Sequence, residues 1–165
     1  MLLTMLWLVT LCILTATLLV LSNLHYMGTV SYKGFRYRIS ENLDALDRLH
    51  SLRLVSLDIA DQVGDGKLKR KIRKCVFSER DSESSDVAFT LDKGKEMVFC
   101  LKGDNKYVTN YILVHEMAHI ASKSVGHTEE FYRELKKLTS IAIKLGFLEK
   151  NCRRISFCDR VIVTT

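Results

Sequence analysis

The first 24 residues of this 165-residue chain contain no charged side chain. As an α-helix rising about 1.5 Å per residue, such a segment is long enough to cross a bilayer core of about 30 Å. A cleaved signal peptide would instead have a basic start and a cleavage site of small residues, and Ser22-Asn23-Leu24-His25 is a poor cleavage site. We therefore predict a retained transmembrane helix over residues 1–24 and one folded domain after it.

The cations nearest to this apolar segment lie on its C-terminal side, at Lys33, Arg36 and Arg38. By the positive-inside rule, they predict that the domain lies on the cytosolic side of the membrane. The absence of an Asn-x-Ser/Thr glycosylation sequon agrees with that side. We interpret residues 25–40 as a juxtamembrane linker and residues 41–165 as the domain.

Five cysteines are present, and no two of them form a C-x-x-C pair, which argues against a zinc ribbon or a thioredoxin-like motif. Cys12 lies in the predicted transmembrane helix. The remaining four are either buried thiols or members of one or two disulfides, the second if the domain meets an oxidising compartment. These four are Cys75, Cys100, Cys152 and Cys158.

The densest contributor to the net charge of +6 is the segment 67–74, with six cations in eight positions. Such a run is typical of a solvated helix or loop face, or of a face that lies on an anionic membrane. No aromatic side chain is interleaved with it, although stacking on single-stranded nucleic acid would favour one. We therefore expect nucleic acid to be the less favoured partner.

Two helices of the domain are predicted from apolar spacing. The first runs from Leu43 to Val63, with Ser40 as its cap and Gly64 at its end, and we expect His50 within it to be a packed or surface residue. A later helix ends at Gly146. Both are expected to form scaffold.

Three strands are predicted from short β-prone runs. Residues 87–91 and 96–101 flank a glycine-containing turn, which predicts an antiparallel hairpin. Residues 151–158, with 161–163 after them, predict a terminal strand.

We predict that the metal-binding and catalytic residues lie in the segment His115-Glu116-Met117-Ala118-His119, inside a helix expected over residues 107–121. Side chains four residues apart lie on one face of a helix, so both imidazoles can bind one metal ion. Glu116 lies beside them and can reach a metal-bound water as a general base. Zinc is the default metal for this motif, because it lowers the pKa of its water to about 7 and polarises a scissile carbonyl.

A catalytic zinc site needs a third protein ligand and an open fourth position. His127 follows a turn at residues 124–126 and precedes a helix that Thr128 is expected to cap, so it can point back at the metal. Glu129 and Glu130 compete for the same role, although acids in a first helical turn are also what the helix dipole favours. We rank His127 ahead of both.

These residues carry a resemblance to a known family. The segment from His115 to His119, followed by Gly126-His127-Thr128-Glu129-Glu130-Phe131, resembles the SprT-like and WLM group of minimal zinc metallopeptidases. The resemblance implies that His115, His119 and His127 bind one Zn²⁺ per chain and that Glu116 is the catalytic base.

The resemblance covers the chain from the first predicted helix through Phe147 and implies an α+β fold. The expected architecture is a minimal zincin-like domain, a small antiparallel sheet packed on helices, preceded by one transmembrane helix. The strand before the active helix, residues 97–101, is implied to hold an extended protein or peptide substrate by strand addition. Short anchored proteins of this kind are similar to some from large DNA viruses. The apolar segment distinguishes this chain from the DNA-repair members of the group, so their DNA-crosslink substrates are not carried over.

We therefore predict a membrane-tethered zinc metalloprotease that hydrolyses peptide bonds, with Tyr132, Arg133 and Tyr107 as candidates for stabilising the oxyanion because they are near in sequence. One alternative is a catalytically inactive interaction module in which zinc only holds the fold, although a closed structural site needs no carboxylate such as Glu116. The other is a membrane-associated basic adaptor that binds anionic lipid or nucleic acid through residues 67–74.

Overall fold

A computed structural model describes residues 28–40, 43–80, 86–103, 105–150 and 153–164. Seven strands and four helices lie in these ranges, and together they form an α+β fold. In chain order they are β1 (Gly28–Tyr32), β2 (Phe35–Ile39), α1 (Asp44–Val63), α2 (Gly66–Lys74), β3 (Val76–Glu79), β4 (Ala88–Leu91), β5 (Glu96–Phe99), α3 (Lys106–Ala121), α4 (Glu129–Lys144), β6 (Arg153–Phe157) and β7 (Arg160–Thr164).

Five of the strands form one mixed sheet in the order β1-β2-β3-β5-β4. The predicted hairpin of β4 with β5 is confirmed, with Phe89 opposite Val98 in an antiparallel pair. The prediction of a purely antiparallel sheet is wrong, because β2, β3 and β5 run parallel to one another. α1 and α2 connect β2 to β3, and a parallel pair requires a long crossover of this kind.

The predicted linker over residues 25–40 is wrong from Gly28 onward. Residues 28–39 form the hairpin of β1 with β2, and β2 continues the sheet with Tyr37 opposite Phe77 of β3. Tyr37 and Ile39 are buried, whereas Arg36 is exposed and Arg38 half-buried between them. Of the cations that predict a cytosolic side, Arg36 and Arg38 therefore lie on the face of β2 opposite to Tyr37 and Ile39, and Lys33 lies in the hairpin turn.

The start of α1 also differs from the prediction. The helix begins at Asp44, and Leu43 before it makes no side-chain cap. The Ser40 hydroxyl, which was expected to cap the helix, donates instead to Glu79 Oε2 at 2.7 Å and ties the end of β2 to that of β3. The predicted end is confirmed, because Gly64 has a left-handed φ of 71° and its N–H donates to the Asp61 carbonyl.

A fully buried arginine crosses the core between α1 and the sheet. The guanidinium of Arg53 donates to the carbonyls of Ile72 and Cys75, each at 2.7 Å, and lies 4.1 Å from the ring centre of Phe77. It also donates to Tyr37 Oη at 3.2 Å. Burial holds the pKa of Arg53 below its ordinary value. Because Ile72 and Cys75 lie where α2 gives way to β3, Arg53 fixes that connection onto α1.

The basic run forms α2. The Asp65 carboxylate caps this helix by accepting the N–H groups of Lys67 and Leu68. Leu68 and Ile72 are buried, and the cations of the helix are exposed or half-buried. The predicted solvated helix face is therefore what the basic run forms, while its partners stay a prediction.

The C-terminal segment forms a separate hairpin of β6 with β7, where one terminal strand was predicted. Cys158, in the turn of this hairpin, forms a disulfide with Cys100, which directly follows β5. Cys75 is a buried free thiol, and burial raises its pKa to about 12. Cys152 lies outside the described residues.

Among the helices that the structure describes, none is both long and apolar enough to cross a bilayer. The predicted transmembrane helix over residues 1–24 lies outside the described residues. That helix and the cytosolic side of the domain stay predictions.

Candidate metal centre

The helix α3 carries two of the three predicted ligands. The prediction of a helix over residues 107–121 is confirmed, and Asn105 caps it by accepting the Val108 N–H at 3.2 Å. Its core-facing residues, such as Met117, are fully buried. His115 and His119 are only partly buried, and their ring centres lie 5.1 Å apart on one face.

The loop between α3 and α4 presents the third histidine. Thr128 caps α4 as predicted, accepting the Phe131 N–H at 3.4 Å, and its hydroxyl lies 2.6 Å from Ser124 Oγ. The Glu130 carboxylate accepts the Ser124 N–H at 3.0 Å, a bond that lowers the pKa of Glu130. These contacts hold Ser124 against the start of α4, and His127 lies in the loop between Ser124 and Thr128. Glu130 thus binds the loop, and His127 is the residue that converges with His115 and His119 as the third candidate ligand.

The three imidazoles converge. One ring nitrogen from each of His115, His119 and His127 lies within 4.8 Å of the other two. His115 Nε2 is 3.0 Å from His127 Nε2, and the ring centres of His119 and His127 are 5.0 Å apart. Three nitrogens bound to a tetrahedral zinc lie about 3.4 Å apart, so this donor set fits a zinc ion with small side-chain adjustments.

Phe131 packs against all three rings. Its ring centre lies 5.0 Å from that of His115, 4.4 Å from that of His119 and 4.6 Å from that of His127. Phe131 is itself fully buried. It therefore restricts the rotation of the imidazoles from the side of α4.

Burial favours the neutral form of the histidines on α3. Burial, with the neighbouring imidazoles as a second cause, lowers the pKa of His115 to about 4. Burial likewise lowers the pKa of His119, helped by His127 and Lys93. The neutral imidazole is the form that binds a metal ion.

Glu116 lies next to the candidate ligands and is 5% exposed. The Thr90 hydroxyl on β4 donates to Glu116 Oε2 at 2.7 Å. Burial raises the pKa of Glu116 to about 7, and the bond from Thr90 opposes that rise. A carboxyl group that titrates near neutrality is suited to taking up and returning a proton.

A cavity of about 600 Å³ opens over the site. Its lining combines β4 with the site residues of α3 and the loop before α4. Lining residues include Phe89, Thr90, Lys93, His115, Glu116, His119 and His127.

The implied strand 97–101 has no free edge for strand addition, whereas β4 lies at the edge of the sheet. That segment contains most of β5, which is paired with β3 on one side and β4 on the other. β4 is an edge strand, and no described strand pairs with its outer side. The Cys100 N–H donates to the Val87 carbonyl at 2.8 Å, so by alternation Phe89 and Leu91 bond to β5, while the main-chain groups of Ala88 and Thr90 face outward.

Sequence reasoning missed two residues that reach the site, Thr90 and Lys93. The Lys93 ammonium donates to the His119 carbonyl at 3.2 Å. Each contact spans 26 residues of sequence. A threonine in a strand and a lysine in a turn are ordinary there, so no sequence signal distinguishes them before the fold is known.

The three candidates for oxyanion stabilisation have different positions relative to the site. Tyr107 lines a different cavity, together with Arg48 and Phe147, so its prediction is wrong. Tyr132 is 58% exposed with its ring centre 6.2 Å from that of His127, and it stays a candidate. Arg133 lies near Glu130, whose pKa it helps to lower.

The fold and the site thus define an α+β protein with a three-histidine candidate metal centre. No known protein family and no solved structure match the chain. An uncharacterized protein of Acanthamoeba polyphaga mimivirus is 31% identical over 105 residues, which are 58% of this chain and 53% of the relative. An uncharacterized protein of Invertebrate iridescent virus 6 is 26% identical over 83 residues, 46% of each chain. The chain spans about half the length of these curated relatives, and the SprT-like and WLM resemblance stays a prediction.

Proposed function

We propose that this chain is a zinc-dependent peptidase in which His115, His119 and His127 bind the metal and Glu116 is the general base. The observation that carries the proposal is the convergence of three imidazole nitrogens within 4.8 Å beside a carboxylate that lines an open cleft. Three imidazoles with room for one further ligand are typical of catalytic zinc, whereas a structural site closes all four positions.

The residues of the chain divide the work of peptide hydrolysis. Zinc, when bound, lowers the pKa of a water and polarises the scissile carbonyl. The Glu116 carboxylate takes a proton from the attacking water and returns it to the leaving amine. Thr90 holds one oxygen of that carboxylate, and Phe131 holds the imidazoles. The enclosed position of Glu116 keeps its proton transfers inside the cleft.

The proposed substrate is a protein or peptide in an extended conformation. Ala88 and Thr90 offer outward main-chain groups along the wall of the cleft, and an added strand is held by such groups. Thr90 also contacts Glu116 through its side chain. A strand bound at β4 therefore lies beside the candidate base.

The metal half of this proposal is tested by elemental analysis of the full chain purified in detergent. We expect about one zinc per chain in the wild type, as the three-ligand site requires. His127→Ala should lose it, because two imidazoles remain, and Glu116→Gln should retain it. A wild-type chain without stoichiometric metal contradicts the proposal.

The catalytic half is tested by hydrolysis of unfolded proteins and of a library of quenched fluorescent peptides. We expect cleavage that a chelator abolishes and zinc restores, and a loss of roughly 10²- to 10⁴-fold in Glu116→Gln. A wild-type chain that holds zinc but cleaves nothing in the library contradicts a peptidase and supports the zinc-bound interaction module.

A further inference from the structure

We propose that Lys93 is a positioning residue of the metal centre, which fixes the loop that presents His127. The inference rests on the proposed function for the identity of the ligands. It goes beyond that function by assigning a role to a residue outside the histidine motif, in the turn between β4 and β5.

Lys93 binds three main-chain carbonyls at the end of α3. Its ammonium donates to the carbonyls of His119 and Ser122, each at 3.2 Å, and to that of Ser124. A lysine ammonium has three N–H donors, and all three are used here. The bonds run from a ligand on α3, past the end of the helix, into the loop that leads to His127.

Ser124 is the point at which this loop is held from two sides. Glu130 of α4 accepts the Ser124 N–H at 3.0 Å, and Lys93 binds the Ser124 carbonyl. Between Ser124 and His127 lie Val125 and Gly126, both exposed. The path of residues 125–127 therefore depends on how Ser124 is held, by Glu130, by Lys93 and by the contact of its hydroxyl with Thr128 at 2.6 Å.

The turn that carries Lys93 is closely fitted to α3. Lys93 and Asp92 have left-handed φ values of 51° and 44°, and Gly94 has a φ of 101°. A Cβ at Gly94 would lie 3.1 Å from two atoms of the Ile120 side chain. This close approach sets the ammonium of Lys93 over the end of the helix.

A second lysine provides a matched comparison. Lys71 of α2 donates to the Ile120 carbonyl at 3.1 Å, so it too places a cation where the dipole of α3 favours one. Among the described residues, Lys71 donates only to this carbonyl of the helix, whereas Lys93 also donates to the Ser124 carbonyl in the loop. Loss of either lysine weakens the helix end, and only loss of Lys93 also removes a bond that holds the loop.

The first experiment measures zinc affinity of the full chain in detergent by competition with a chelator. We expect Lys93→Met to bind zinc roughly 10-fold more weakly, the lower end of the effect of losing an outer partner, because Lys93 contacts the main chain of His119 and not its imidazole. Lys71→Met and Lys95→Met, the second in the same turn but exposed, should stay within about threefold of the wild type. An affinity of Lys93→Met equal to that of the two controls overturns the proposal.

A double-mutant cycle separates positioning from a general structural role. Because His127→Ala is expected to lose zinc on purification, its residual affinity is measured by titration with added zinc. If Lys93 acts mainly through His127, Lys93→Met should weaken this residual binding less than it weakens binding in the wild type. An equal loss in both backgrounds overturns the positioning role, because the effect then does not pass through the third ligand.

Hydrogen exchange gives a readout that needs no metal. In the metal-free chain we expect the amides of residues 124–127 to exchange faster in Lys93→Met than in Lys71→Met or the wild type. Unchanged exchange overturns the hold of Lys93 on the loop. A wild-type chain that takes up no zinc removes the proposed function, and this measurement still decides whether Lys93 fixes the loop.

Discussion

Thr90 Oγ1 on the edge strand β4 lies 2.7 Å from Glu116 Oε2 on α3, and this hydrogen bond joins the wall of the cleft to the candidate base. The bond favours the charged carboxylate, whereas burial favours the protonated form and prevails, raising the pKa of Glu116 to about 7. The folded metal-free chain therefore keeps a proton on Glu116 at pH values where the unfolded chain has lost it.

This difference predicts a pH-dependent gain in stability for Glu116→Gln. A carboxyl group whose pKa rises on folding makes the free energy of unfolding decrease as the pH rises from about 4 to about 7, and the loss persists above that range. In the metal-free chain we expect the substitution to raise the free energy of unfolding by about 1–3 kcal/mol at pH 8 and to leave it unchanged at pH 4.

Urea unfolding at the two pH values measures this effect. Glu129→Gln, which removes an exposed carboxyl group of the same region, serves as the control and should change little at either pH. A gain from Glu116→Gln that is equal at both pH values contradicts the prediction.

Arg53→Met should destabilise the fold by about 2–4 kcal/mol, because it leaves buried carbonyls without a donor. Ile72 and Cys75 lose bonds of 2.7 Å, and Phe77 loses the cation over its ring. The measurement is urea unfolding beside Arg70→Met, whose side chain is exposed on α2 and whose effect should lie within about 0.5 kcal/mol. Equal effects of the two substitutions would show that the buried bonds contribute nothing net.

Arg53 also shows where sequence analysis stops. It lies within a helix that apolar spacing predicts, and nothing in that spacing marks one arginine as buried. Its burial depends on the carbonyls of Ile72 and Cys75, which are 19 and 22 residues further along the chain. The pairing of Tyr37 with Phe77 is more remote still, so neither the parallel strands nor β2 could be predicted from local pattern.

The candidate site likewise combines residues that local sequence pattern predicts with residues that it does not. His115, His119 and His127 lie within 13 residues, where helical spacing and the Thr128 cap are local effects, and the structure brings the three together as predicted. Thr90 and Lys93 reach the site only because β4 forms the edge of the sheet beside α3. Local pattern thus predicts the three candidate ligands, and the fold adds Thr90 and Lys93 beside them.

The Cys100–Cys158 disulfide should contribute about 2–4 kcal/mol to the free energy of unfolding, since it closes a long loop in the unfolded chain. The two cysteines are 58 residues apart, and the bond ties the end of β5 to the C-terminal hairpin. We expect a reductant to lower the urea midpoint of the wild type and to leave that of Cys158→Ser unchanged. A midpoint that is insensitive to reductant in both chains would contradict this contribution.

The outward main-chain groups of β4 allow a direct test of how a peptide binds. Ala88→Pro removes an N–H that faces away from β5, and an edge strand tolerates such a proline. Since one hydrogen bond is worth about 0.5–1.5 kcal/mol, we expect kcat/KM for extended peptides to fall roughly three- to tenfold, with zinc content and stability retained. Phe89→Pro, one position along, removes an N–H that bonds to β5 and should destabilise the domain instead. Cleavage by Ala88→Pro at the wild-type rate would mean that the substrate does not pair with β4 at this position, because the bond that the strand offers there would then have no effect on binding.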